Sequence, residues 1–273
     1  MDEKIRESLT EILSGVSGQV ANIATEITKS PEQFNSTIWA AITSISNNAV
    51  LPIAYMVLGF LFLMDFYNIT IKMNSQNQFL PMEPIMAMVK VAVTKYVVEN
   101  TMKIMLAVFG LASEIVTKAA ATLPGGGELN AGQVNQLMET LKDASLLEKI
   151  LMRIELLPMG LIIQLLGTVA WLISISRMIE IYMYCAVAPI PLATFASPEL
   201  SSMGKNFLKS FAGVSLQGLF IIIVVAIYQV LIQSAATSTD IPAALGTVLG
   251  YSLLLVMALL QTGKWAKSIM NAA

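Results

Sequence analysis

Histidine is absent from the 273 residues, and cysteine occurs once, at Cys185. Without imidazole there is no His-based general base, and most zinc and haem sites lose their usual ligand. A single thiol excludes an intrachain disulfide and a cysteine-rich metal cluster. Charge is scarce as well: 12% of residues are Asp, Glu, Lys or Arg, about half of what an average soluble domain carries. The net charge of −2 leaves no basic stripe for duplex nucleic acid. No G-x-x-x-x-G-K-[ST] stretch occurs, so nucleotide energy has to come from a partner. No Ser, Thr or Asp stands with a base partner that would make a hydrolase credible. The sequence implies no catalytic residue, cofactor or metal.

Apolar residues dominate instead, at 56%. They run in continuous stretches rather than alternating, which predicts an all-α polytopic membrane protein and not a barrel. Five or six spans are expected, with amphipathic helices outside the membrane. Residues 1–30 form one of these: Ile5, Leu9, Ile12, Val16, Val20, Ile23 and Ile27 recur at three- and four-residue steps among charges. No cleavable signal peptide fits this start. Ser30-Pro31-Glu32-Gln33 then reads as a helix start, with Ser as N-cap, Pro at the first helical position and Gln reaching back.

Residues 31–118 are a first membrane region. Its firm span covers about 49–66, and Pro84 opens a second helical pattern over 84–118 that Lys90, Lys95, Glu99 and Lys103 interrupt. A span needs about 20 apolar residues. That second helix therefore either crosses in a protein-lined setting or lies at the interface with its lysines among the headgroups. Residues 119–155 form a polar loop, with Leu123–Asn130 as its turn and capping boxes at Asn130 and Ser145 opening short helices. Residues 156–273 are a second membrane region with four expected spans, 156–176, 181–198, 210–234 and 242–263, separated by linkers that include Arg177–Glu180. Lys264 and Lys267 follow the last span and match Lys205 and Lys209 in sign, so the C-terminus is expected in the cytoplasm. The same rule does not place the N-terminus, because that depends on whether 84–118 crosses.

Several residues stand out against this background. Arg177 and Glu180 are three apart and can pair on one helix face; as an alternative they are an interfacial pair that stops one span and starts the next. Pro189 and Pro191 sit inside an apolar run and remove two backbone donors, so the helix kinks or breaks there, as a hinge or a simple packing kink. Gly246 and Gly250 form a small-xxx-small face that can seat a neighbouring helix. Lys95, Glu99 and Lys103 recur every four residues, so they share a face that suits a watery lumen or a partner subunit better than lipid. The 17 methionines read as apolar filler in the spans.

From Arg177 the order R-M-I-E-I-Y-M-Y-C-A-V-A-P-I-P-L-A-T-F, followed from Gly204 by G-K-N-F-L-K-S-F-A-G-V-S-L-Q-G-L-F-I, resembles a known family. Arg177, Glu180, Tyr182, Pro189, Pro191, the Gly204–Lys209 stretch and Gln217-Gly218 carry the resemblance. The chain resembles the TrbL/VirB-type polytopic inner-membrane proteins of type IV secretion (conjugation) systems, especially those of Gram-positive conjugative elements. The likeness is strongest over 150–263. It implies a multi-pass subunit in the bacterial cell membrane that forms a homo-oligomer around the substrate path. It also implies other secretion-system subunits as partners, including ATPases that supply energy, and transit contact with DNA or protein. The family brings no catalytic residues. Its members commonly place the N-terminus outside, which favours five spans. A small-solute transporter or channel is the other reading, supported by the proline break alone; a membrane-bound immunity or lysis protein is a third.

Overall fold

The computed structural model describes residues 23, 25–76, 82–122, 146–235 and 241–271. Most of the expected N-terminal amphipathic helix, apart from residues 23 and 25–30, and most of the 119–155 loop, with both of its capping boxes, lie outside these residues. All regular structure among the described residues is helical.

Ser30 caps helix α1, Pro31–Phe34, as its sequence spacing predicts: its side chain accepts from the Gln33 amide while the Gln33 side chain accepts from the Ser30 amide. Asn35 caps α2, Ser36–Ile45, by accepting from the Ile38 amide at 3.0 Å. A π turn over Ser46–Val50 joins α2 to α3, Leu51–Gln76. Pro52 explains the wider turn, because it has no N–H for a normal helical bond and its ring crowds the carbonyl of residue 48. Helix α4, Met82–Glu99, and α5, Thr101–Ala121, meet at Asn100. Backbone bonds from the Asn100 amide to Tyr96 and from the Ile104 amide to Asn100 carry the chain through that junction.

The second half holds α6, Leu146–Val187; α7, Pro189–Ala193; a 3-10 turn, Thr194–Ala196; α8, Ser201–Ala235; and α9, Ile241–Ile269. Among the described residues, five stretches are long and apolar enough to cross a membrane: Ser36–Met73, Thr101–Ala121, Gly160–Val187, Ser201–Ile232 and Gly246–Ile269. The fold class is therefore all-α, that of a polytopic membrane protein.

Two expectations change. The linker expected at Arg177–Glu180 does not exist, since α6 runs unbroken from Leu146 to Val187. Nothing in Arg-Met-Ile-Glu breaks a helix, and both charges find partners within the protein. The expected spans 156–176 and 181–198 thereby collapse into one helix and a short corner. The pattern over 84–118 likewise divides at Asn100, and only the part from Thr101 onward qualifies as a span. The first change removes Arg177 from the linker in which its charge was weighed, and the second leaves Lys95 and Lys103 on separate helices.

The described residues gather into two compact units. One takes its residues from 1–28, 114–177 and 217–265. Its core joins Ile27, Val116, Ala170, Ile221, Val225 and Leu259. Hydrogen bonds tie α8 to α9 within it: the Gln217 amide donates to the Thr262 hydroxyl at 3.2 Å, and the Tyr228 and Ser252 hydroxyls lie 2.7 Å apart. Such polar contacts hold membrane helices where hydrophobic burial alone gives no preference for protein over lipid. The other unit draws on 29–113, 178–216 and 266–273. Its core joins Ala54, Met105, Phe109, Ile181, Leu192 and Phe211.

Candidate functional site

Within the first unit, Arg177 is the largest fully buried side chain, 1% exposed. Its guanidinium Nη1 donates to the Ile27 carbonyl at 3.2 Å. Residues 25–28 are helical and the helix ends there, which leaves carbonyls without intrahelical donors. A cation at a helix C-terminus meets both the dipole and those carbonyls. Gly218 makes the room: a Cβ there would lie 2.7 Å from Arg177 Nη1 and 2.9 Å from Ile27 Cγ2. Arg177, Gly218 and Ile27 thus form one clamp, in which α6 supplies the cation and α8 the space.

Within the second unit, Glu180 accepts from Lys267 Nζ at 2.5 Å, joining α6 to α9. Arg177 and Glu180, expected as a possible pair, are each committed elsewhere. Tyr182 donates its hydroxyl to the Pro31 carbonyl at 2.6 Å and packs beside Phe34 and Trp39.

The proline corner belongs to the same unit. Pro189 opens α7 and is buried, while Pro191 is half-buried. The helix ends at Val187 because two residues in three then lack the amide that would continue its bonding. Thr194 latches the corner: its hydroxyl donates to the Pro191 carbonyl at 2.7 Å and accepts from the Gly204 amide at 3.1 Å. A Cβ on Gly204 would come within 2.7 Å of the Pro191 carbonyl oxygen. We predict that Gly204→Ala destabilises the protein by about 1–3 kcal/mol, the usual cost of overpacking. Thermal melting in detergent checks this, and an unchanged midpoint counts against the latch.

Lys95 and Glu99 stand 3.7 Å apart on α4, both substantially exposed, and Tyr55 of α3 donates to Glu99 Oε1 at 3.3 Å. Lys103, on α5, donates instead to Asn100 Oδ1 at 3.2 Å. Gly246 and Gly250 face open space, with no heavy atom among the described residues within 4 Å of where a Cβ would stand. Sequence reasoning named Gly204 and Gly218 only as carriers of the family resemblance, and it missed Tyr55 and Lys267 as site residues. The packing role of Gly204 and Gly218 shows only through what lies across from them. Among the described residues, no group of three or more acids or thiols gathers as a metal site would require.

These clamps join helices, an arrangement suited to a structural membrane subunit. Neither a search of curated proteins nor one of solved structures returned a match. A family model described as TrbL/VirB6 plasmid conjugal transfer like protein matches residues 16–189. That stretch includes Ile27, Tyr55, Lys95, Glu99, Arg177 and Pro189. It overlaps only the first part of 150–263, where the motifs placed the strongest likeness. Matching well over half of the sequence, it establishes that the chain belongs to the TrbL/VirB6 plasmid conjugal transfer-like family.

Proposed function

We propose that the protein is a non-enzymatic scaffold or channel subunit of a type IV secretion conjugation machine, helping DNA or protein cross the bacterial cell membrane. The family match over 16–189 carries this reading. Arg177, Glu180 and Lys267 support it, because these charges on candidate spanning helices hold helices together. Partner ATPases supply the energy. A chain of five spans is too small to surround DNA or an unfolded polypeptide, since helices about 10 Å across pack into bundles without a wide channel. A ring of copies provides the width. Gly246 and Gly250 offer a seam for close helix approach between copies.

The C-terminus lies in the cytoplasm on this reading. Lys205 and Lys209 at the start of α8 and Lys264 and Lys267 at the end of α9 all fall at helix ends that the positive-inside rule assigns there. Two measurements test the proposal. A reporter fused after Ala273 is expected to be active only as a cytoplasmic fusion. Mass measurement of the secretion complex in mild detergent is expected to find several copies per complex. An external C-terminus overturns the orientation, and a single copy overturns the ring.

A further inference from the structure

A cleft of about 410 Å³ opens along the second unit between α3 and α4. Tyr55, Lys95 and Glu99 form its polar rim, and Gly59, Phe62 and Val91 line the apolar remainder. Gly59 keeps it open: a Cβ at that position would meet no heavy atom within 4 Å. α3 belongs to a candidate span, Ser36–Met73, so the cleft faces a lipid-rich phase. Its volume falls near the lower end of small-ligand pockets, and a helix 10–12 Å across does not fit inside.

We propose that this cleft binds one phospholipid with a zwitterionic amine headgroup, of the phosphatidylethanolamine type. The rim carries both signs of charge. Lys95 Nζ and Glu99 Oε1 stand 3.7 Å apart with side chains 59% and 43% exposed, a separation and exposure at which a surface pair binds weakly. Lys95 is open to a second partner, and Glu99, which already accepts from Tyr55, to a third. The phosphate of the headgroup meets Lys95, its ammonium meets Glu99, and an acyl chain lies over Gly59 between Phe62 and Val91. A purely anionic headgroup satisfies Lys95 but sets its charge against Glu99. The inference rests on α3 lying in the membrane and is independent of the role in conjugation.

Native mass spectrometry of the full chain in mild detergent tests this, with phosphatidylethanolamine and phosphatidylglycerol supplied separately. The expected result is one phosphatidylethanolamine retained per protomer, with about tenfold weaker retention of phosphatidylglycerol, the loss that one charge-assisted hydrogen bond represents. Gly59→Leu is expected to abolish retention by filling the cleft. The double variant Lys95→Gln with Glu99→Gln, which alters no packed side chain, is expected to erase the headgroup preference and serves if the leucine variant does not fold. Equal retention of the two lipids by the unaltered protein overturns the proposal. So does retention that survives Gly59→Leu, or a headgroup preference that survives the double variant. A protomer–protomer mass lost on Gly59→Leu, with no lipid involved, likewise contradicts it and assigns the cleft to a second copy.

Discussion

Arg177→Ala is expected to destabilise the protein by about 3–5 kcal/mol, a large part of the stability an ordinary domain possesses. Three effects act together. The Ile27 carbonyl loses a donor that reaches it at 3.2 Å, and an unmade bond to a buried carbonyl is costly. A side chain only 1% exposed leaves a cavity that the surroundings refill incompletely. The helix end at residues 25–28 also loses the cation that meets its dipole. These effects share one site and do not add independently. Arg177→Met separates them, because it fills most of the volume without donating. Replacing buried charges by apolar groups is sometimes neutral. Here, however, the carbonyl remains when the guanidinium goes, so Arg177→Met is expected to be intermediate between the parent and Arg177→Ala. Gly218→Ala attacks the same clamp from α8, forcing the guanidinium off the Ile27 carbonyl. Melting of the three variants in detergent checks the account. A midpoint unchanged in Arg177→Ala contradicts it.

The apolar runs were legible because the bilayer imposes a minimum length on any span, and that length can be read without knowing what packs against it. The break at Pro189 was legible for a similarly local reason, since proline removes its own donor wherever it stands. The capping box at Ser30 is local too. Arg177 and Glu180 misled for the opposite reason. A charge between two apolar runs marks an interface when water solvates it, and continues a helix when the protein does. What decides between the two is the Ile27 carbonyl, 150 residues away from Arg177, and Lys267, 87 residues from Glu180. Neither spacing leaves a mark in a sequence window. Gly204 and Gly218 depend in the same way on the Pro191 carbonyl and on the Arg177 guanidinium. Lys95 and Glu99 were recognisable as one face from their four-residue step. Their neighbour Tyr55 comes from another helix, and the periodicity of α4 says nothing about it.

The Arg177 clamp, the Thr194 latch and the Glu180–Lys267 pair each fix one helix against another. On the proposed scaffold reading that rigidity serves a purpose: a wall or scaffold keeps its shape while a substrate moves past it. On that reading the protein's work is transfer between cells, performed with partners and without chemistry of its own. An in-frame deletion of its gene tests this most directly, scored by the frequency with which the conjugative element moves to recipient cells. Transfer is expected to fall to the detection limit, with donor growth unaffected and transfer restored by the intact gene supplied in trans. Transfer at the parental frequency from the deleted strain would contradict it.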